Sequence, residues 1–410
     1  MHTDIAKKFI EYLSEYGRWD DLFILFGTNL EEKMYQLIKW QLALDMNDCL
    51  AHKGISLLAK WLPSENAHSN ETKKKAISIR KYLGLTSKQY RQMLSKLRAH
   101  LNVLERLMSA NRWDEIEFDK IPSKAGLIYR NAFARRDMIA KKYEAFAKDK
   151  NTKVNAGTLY PYEVVEKVTS KIMYDDWYLR DESRIEIDDT ERAMINKYWE
   201  NLPDYLNGAD PSMLCVIDTS GSMRGRPMDM AISLGLYCAE RMTGPFAGKY
   251  ISFSSYPQLI KTEGVDFIDK VERIYKTNLC ENTNLNAVFD LMLLNIAVKK
   301  KLSQKDLPST IVVISDMEID YMSNWRSEKE TSTQMQKIKE KWKIFGYEVP
   351  KLVFWNVSAR HDTILDVGPD VSLVSGSSPV IFEPVLTGKT GFELMLNTLL
   401  SERYKDITVK

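Results

Sequence analysis

Three stretches of the chain carry oxygen donors at spacings that suit a hard divalent cation: Asp218-Thr219-Ser220-Gly221-Ser222-Met223, Asn282-Thr283-Asn284 and Ser315-Asp316. In an extended loop, an acid and two hydroxyls at alternate positions face one point, and Gly221 lets the backbone wrap without a side-chain clash. Adding Thr283 and Asp316 makes a set of five hard oxygens. Such a set suits Mg2+, or Mn2+, at near-octahedral geometry, with waters or a partner's carboxylate completing the shell. Asp-x-Ser-x-Ser alone is a weak signal, because Asp and Ser crowd many turns. Its weight comes from what surrounds it. The first and third stretches end short β-branched apolar runs, and the second precedes a helical one.

The elements that must position these donors lie after Asp210-Pro211. Met213–Ile217, Tyr250–Phe253, Thr310–Ile314 and Leu352–Trp355 are short, continuous apolar runs that read as strands. Between them Pro227–Met242, Leu285–Lys300 and Thr331–Phe345 read as helices. Strands apolar on both faces and alternating with helices predict a doubly wound α/β layer with a parallel sheet. Ligands on such sheets sit in the loops beyond the carboxyl ends of the strands, and all three donor stretches fall where the fold places its binding loops.

Before that point the apolar period is helical and strand-like runs are nearly absent. Helices are expected at Asp4–Tyr16, Leu30–Asp45, Glu71–Leu83, Gly126–Asp149 and Thr190–Glu200. Another carries Tyr90, Met93, Leu94, Leu97, Leu101 and Leu104 on one stripe. Thr86 with Gln89 three residues on makes a capping box at its start, and Gly84 closes the helix before it. The fold class is therefore α followed by α/β: an N-terminal helical repeat, solenoid-like region over residues 1–208, then the α/β layer over residues 209–410. No clean fixed-period repeat accompanies the helical half.

Charge is distributed unevenly. The 410 residues carry a net charge of +2, yet Ala51–Lys150 holds 22 Lys+Arg against 10 Asp+Glu. Lys73, Lys74, Lys75, Arg80, Arg91, Lys96 and Arg98 are the candidates for neutralising phosphates of a polyanion. The competing account makes them the wet faces of amphipathic helices. The apolar fraction of 44% and charged fraction of 28% are those of an ordinary globular protein. Four scattered cysteines without a Cys-x-x-Cys pair argue against zinc and a disulfide framework. With no signal-like start and no span of roughly 20 apolar residues, a cytoplasmic setting away from membranes is expected.

The segment Cys215-Val-Ile-Asp218-Thr-Ser220-Gly-Ser222-Met223 resembles the metal-ion-dependent adhesion site (MIDAS) of von Willebrand factor A domains. The resemblance implies direct metal contact from Ser220 and Ser222, direct or water-mediated contact from Thr283, and water-mediated contact from Asp218 and Asp316. Many such domains carry Thr-Asp-Gly where this chain has Ser315-Asp316-Met317-Glu318. In the helical half, Ile55–Glu65, Lys81–Arg91 and Lys96-Leu-Arg98 are similar to the TROVE module of Ro-type ribonucleoproteins, in the uncharacterised branch found in plants, bacteria, phages and large viruses. That resemblance implies binding of structured or misfolded RNA. Relatives in that branch carry further helical sequence before a stretch like Tyr16–Leu22, so this helical half is expected to be short at its start, with self-assembly as one way to complete a ring.

No catalytic residue is assigned. Asp218-Thr219 after a strand resembles aspartyl phosphatases, but those require a second Asp where Ser220 stands. Gly-x-Ser-x-Gly, His-Glu-x-x-His and Gly-x-x-x-x-Gly-Lys are absent, and the five histidines are dispersed. The helix pair around Gly84 also fits a helix-turn-helix, although Gly-joined pairs occur in every α-solenoid. The expectation is a non-enzymatic binding protein, with RNA on the helical half and a protein carboxylate on the metal loop. Its alternative is a metal-dependent protein interaction scaffold with no nucleic acid.

Overall fold

The computed structural model describes residues 9–101, 104–173, 184–205, 212–253, 256–276, 285–316, 328–359, 363–368, 371–376 and 391–405. Contacts divide the chain into two compact units, residues 1–116 with 401–410, and residues 117–400. The change of apolar period near residue 208 thus lies inside the second unit rather than at its edge.

The first unit is helical: α1 Glu31–Leu50, α2 Leu58–Trp61, α3 Asn70–Tyr82, α4 Ser87–His100 and α5 Leu104–Ser109. One core gathers Trp19, Leu22, Met34, Ile38, Leu58, Ile79, Tyr90 and Leu97. Removing such side chains from water stabilises by about 2 kcal/mol each, before entropy is counted. Gly84 sits at φ +68, a left-handed conformation, and the Leu85 N–H closes onto the Arg80 carbonyl in the bonding that ends many helices. Thr86 and Gln89 then cap α4 reciprocally, as their spacing predicts. Asp45 is buried and accepts hydrogen bonds from the Ser56 amide (2.9 Å) and hydroxyl (2.6 Å), which folds the loop after α1 back onto it. Of the expected helix Asp4–Tyr16, the described part is a 3-10 turn Ile10–Tyr12 and one helical turn Leu13–Tyr16.

The second unit begins with α6 Ser123–Arg135, α7 Asp137–Lys148, α8 Pro161–Thr169 and α9 Asp189–Glu200. The single helix expected over Gly126–Asp149 is two, because Arg136 takes an extended conformation (φ −89, ψ 105) and Asp137 opens a new first turn. A two-stranded pairing of β1 Ile172–Met173 with β2 Arg184–Ile185 interrupts the helical series. Neither its short strands nor α8 was visible as a periodic pattern.

A seven-stranded sheet follows, in the order β5-β4-β3-β6-β7-β9-β8. Its strands are β3 Met213–Ile217, β4 Lys249–Ser252, β5 Leu259–Lys261, β6 Thr310–Ser315, β7 Lys351–Asn356, β8 Thr363–Gly368 and β9 Val371–Ser375. β4, β3, β6, β7 and β9 are mutually parallel, while β5 and β8 close the edges antiparallel. Among the described residues five helices accompany it: α10 Arg226–Arg241, α11 Phe267–Lys276, α12 Leu285–Asp290, α13 Glu328–Ile344 and α14 Gly391–Leu399. One face packs Leu214, Val216, Ile311, Val313, Leu352 and Phe354 with Phe289, Leu293, Ile338 and Trp342. On the other, α10 comes so close at Gly235 that a Cβ there would lie 2.2 Å from Ile217 Cδ1. Glycine is the residue that permits this approach. α12 continues as a π-helix over Leu291–Val298, a widened register that keeps Met292, Leu293, Ile296 and Ala297 buried. The architecture is mixed helical and α/β with a mostly parallel sheet. No helix among the described residues is long and apolar enough to cross a membrane.

Candidate metal loop and basic surface

The strand order reverses at β3, with β4 on one side and β6 on the other. At such a switch point the loops leaving two neighbouring parallel strands diverge and leave a crevice at their carboxyl ends. The β3 loop carries Asp218, Ser220 and Ser222, and the β6 end carries Ser315 and Asp316. Register fixes their relation: Ile217 is opposite Ile314, and the Asp218 N–H donates to the Ile314 carbonyl at 3.1 Å.

Asp218 is buried, 3% exposed. Its Oδ1 accepts from the Ser220 amide and its Oδ2 from the Ser315 hydroxyl, each at 2.8 Å. Burial pushes its carboxyl above the usual aspartate range; the Ser220 and Ser315 hydrogen bonds pull it back, and Asp316 raises it further. Ser220 and Ser222 bring their hydroxyl oxygens to 3.2 Å of one another. A single 3-10 turn, Gly221–Met223, makes this possible, anchored by the fully buried Met223. The Asp316 amide lies 3.1 Å from the Met223 sulfur, which ties the two strand ends together.

Of the five predicted ligands, Asp218, Ser220 and Ser222 lie together on the loop after β3, and Asp316 follows the adjoining end of β6. Thr283 lies outside the described residues. The donors present are hydroxyls and carboxylates, hard oxygens whose chemistry fits magnesium or manganese. Among the described residues no group of three His, Cys, Asp or Glu is placed to hold a metal ion. Sequence reasoning placed Ser315 in a donor stretch but gave it no role of its own; it donates to Asp218 and orients it. Its position immediately before Asp316 at a strand end was the available signal.

The basic candidates behave differently from one another. Lys74, Arg91 and Lys96 are exposed and Lys73 is half-buried. Lys75 pairs with Glu71 at 2.8 Å. Arg80 donates to Glu65 (2.7 Å) and to the Leu85 carbonyl (2.9 Å), holding the end of α3 to the loop before it. Arg98 donates to the Ala59 and Leu62 carbonyls (2.8 and 2.7 Å) and to the Ser64 hydroxyl (3.0 Å). Burial lowers its guanidinium below the ordinary arginine value. Arg80 and Arg98 are thus committed to the fold. The basic run is itself divided between the units, with 13 Lys+Arg against 5 Asp+Glu over Ala51–Ile116 and 9 against 5 over Glu117–Lys150.

Cys49, Cys215 and Cys238 are buried free thiols.

Comparison with known proteins yields matches in both parts of the chain. Residues 212–404 match a family described as a domain of unknown function (DUF7788), and residues 65–209 match a second, DUF2828. The chain is 31% identical over 402 residues to the uncharacterized protein L728 of Acanthamoeba polyphaga mimivirus. That alignment covers 89% of this chain and 66% of the relative, so the chain spans just under two thirds of the relative's length. Among solved structures, the crystal structure of Deinococcus radiodurans RO (RSR) protein is similar at a TM-score of 0.42 and 14% identity, over 84% of this chain and 77% of that one. The two matched families meet between residues 209 and 212, where the helical series gives way to the sheet.

Proposed function

We propose that the chain is a non-enzymatic binding protein in which a von Willebrand factor A-like layer holds a divalent metal for a protein carboxylate, and a TROVE-like, solenoid-like helical half engages structured or misfolded RNA. One observation carries the metal half: Asp218, Ser220 and Ser222 gather with the end of β6 at the switch point of a mostly parallel sheet. Asp218 has both oxygens held by Ser220 and Ser315, which suits a group that orients ligands and waters rather than a nucleophile. When bound, magnesium would supply an open coordination position for an incoming carboxylate. Ser220 and Ser222 would hold it directly, with Asp218 and Asp316 acting through water.

Linkage tests the metal. An ion that binds only the folded state stabilises it by about 1.4 kcal/mol at tenfold the dissociation constant, which is about 2–4 °C for a domain of this size. Magnesium should raise the melting temperature by that amount, and Asp218→Ala should remove the shift while helix content stays constant. Identical responses of wild type and variant to magnesium and to a chelator would rule the site out.

The RNA half rests on the TROVE-like stretches, on the exposed Lys74, Arg91 and Lys96, and on the half-buried Lys73. The scaffold without nucleic acid is favoured instead by the internal commitment of Arg80 and Arg98. A cytoplasmic setting, and self-assembly of the helical half, complete the proposal.

A further inference from the structure

α7 ends at Lys148 with Asp149 as its cap, and a helix end leaves its last carbonyls without partners inside the helix. A side chain from another helix of the same unit meets them. Lys197, in α9 and 6% exposed, extends its ammonium to the Phe146 carbonyl (2.7 Å), the Asp149 carbonyl (2.5 Å) and the Thr152 hydroxyl (2.7 Å). The Thr152 carbonyl stands farther off, at 3.3 Å. An ammonium has three N–H donors, and the three nearer oxygens match them one for one. The Thr152 hydroxyl, while accepting from the ammonium, lies 3.0 Å from the Asp149 carbonyl, to which it donates. The Phe146 ring covers the charge from a further side, its centroid 4.8 Å from Nζ. These four oxygens are all neutral. Asp149 gives the site its backbone carbonyl, while its carboxylate Oδ1 accepts from the Asn151 amide at 2.9 Å.

We propose that the carboxyl end of α7 is a binding site for a monovalent cation of the ammonium and potassium class, closed in the native chain by the Lys197 ammonium and open to a free primary ammonium ion once that side chain is shortened. The donor set selects the class. Neutral carbonyls and a hydroxyl replace the water shell of a monovalent cation, as carbonyl rings do in potassium filters. Magnesium and calcium instead call on carboxylate ligands. The negative end of the helix dipole supplies attraction without a net charge that would demand a divalent ion. Burial lowers the ammonium below the ordinary lysine value, and Asp149 and Glu200 raise it. A charge taken out of water at such a cost is kept only where a full shell of donors meets it. The site also has a place in the architecture. α9 carries Lys197 toward the loop after α7, and it bonds elsewhere to the elements around the sheet. Trp199 Nε1 donates to Glu240 of α10 (2.8 Å), and Asn196 Nδ2 donates to Asp266, just before α11 (2.8 Å). The cation therefore fastens the helical series to the helix that joins it to the sheet layer. This site is independent of the metal loop.

Chemical rescue tests it on the full chain. Melting is followed in sodium chloride, n-propylammonium chloride and tetramethylammonium chloride at equal ionic strength. Lys197→Ala leaves the carbonyls without a donor and should lower the melting temperature in sodium by on the order of 5–10 °C. Propylammonium matches the atoms removed, so at tenfold its dissociation constant it should restore about 2–4 °C, and the gain should saturate. Tetramethylammonium has the charge but no N–H and should restore nothing. Wild type should respond alike to all three salts. Lys197→Met fills the same channel with an apolar chain, so it should melt below wild type and gain nothing from propylammonium. Equal responses of Lys197→Ala to propylammonium and tetramethylammonium would overturn the proposal, and so would a Lys197→Met that melts with wild type. If Lys197→Ala does not fold, Thr152→Val decides in its place. Removing that one hydroxyl ligand should lower melting by about 2–4 °C, and unchanged melting would show that the shell holds no cation worth keeping.

Discussion

The metal loop and the basic stretch of α3 and α4 both looked functional in the sequence, and the structure treats them in opposite ways. At the loop, residue types, spacing and strand ends constrain one another, so Asp218, Ser220 and Ser222 come together beside the end of β6 when the sheet forms. Along α3 and α4 nothing local separates an arginine that binds a partner from one that holds the fold. The deciding partners of Arg98 are Ala59, Leu62 and Ser64, between 34 and 39 positions away. Charge counted along a chain reports cations without their partners. Donor spacing at a strand end carries its partners with it.

The largest effect should come from breaking the helical side of that contrast. Arg98 meets two carbonyls and a hydroxyl from α2 and the stretch after it. Hydrogen bonds to a charged group contribute about 1.5–3 kcal/mol, and leaving buried carbonyls unmet adds to the loss. Arg98→Gln should therefore lower the stability of the first unit by about 3 kcal/mol, read from the urea midpoint. Lys74→Gln, on the exposed face of α3, should stay within about 0.5 kcal/mol of wild type. Equal midpoints for the two variants would erase the distinction between fold-holding and solvated cations.

A smaller effect sharpens the sheet side. Asp229, in the first turn of α10, is buried and accepts a hydrogen bond from Thr169 at the end of α8 (2.6 Å). Burial pushes its carboxyl up to about 7, with Glu166 raising it, against the Thr169 bond and Lys167. The folded state thus holds a proton that the unfolded chain, titrating near 4, gives up. Stability from this group is fully present below about pH 4 and declines as pH rises toward 7, above which the loss is complete. Asp229→Asn keeps an acceptor for Thr169 and removes the titration. It should be more stable than wild type at pH 8, on the order of 2 kcal/mol, with the gap closing toward pH 4. Parallel stability curves for the two proteins across that range would show that Asp229 does not titrate between the folded and unfolded states.

The legible parts of the fold were those with local causes. Gly84 at φ +68 and the Thr86–Gln89 cap follow from a few adjacent residues, and the apolar run Met213–Ile217 is β3 to the residue. Strands β8 and β9 escaped notice because Thr363-Ile-Leu-Asp-Val-Gly carries neither clean alternation nor a continuous apolar run. The break at Arg136 was hidden because no Gly or Pro marks it in Ala134-Arg135-Arg136-Asp137. At the candidate site, the bond from Ser315 to Asp218 spans 97 positions, and elsewhere that from Arg80 to Glu65 spans 15. Topology alone brings such pairs together. The domain division shows the same limit, since period changes near residue 208 while contacts separate at residue 116.

The smallest expected effect belongs to the exposed cations, and it decides whether the helical half touches nucleic acid at all. Phosphate contacts release counterions, so the logarithm of affinity falls linearly with the logarithm of salt, by about 0.7–0.9 per contact. A variant replacing Lys73, Lys74, Arg91 and Lys96 by Gln leaves Arg80 and Arg98 in place and so leaves the unit folded. It should bind a structured RNA more weakly across sequences and with a shallower salt slope, by up to about 3 if all four meet phosphates. Lys74, Arg91 and Lys96 are exposed and screened, which keeps the loss per residue small. Including Arg98 in the same variant would mix lost folding with lost binding and make the slope uninterpretable. Light scattering alongside the titration fixes whether the binding species is a single chain or an assembly. A wild type that binds RNA no better than an unrelated protein of equal charge, with a slope the four changes leave untouched, would assign these side chains to solvation and leave the protein-interaction scaffold as the function.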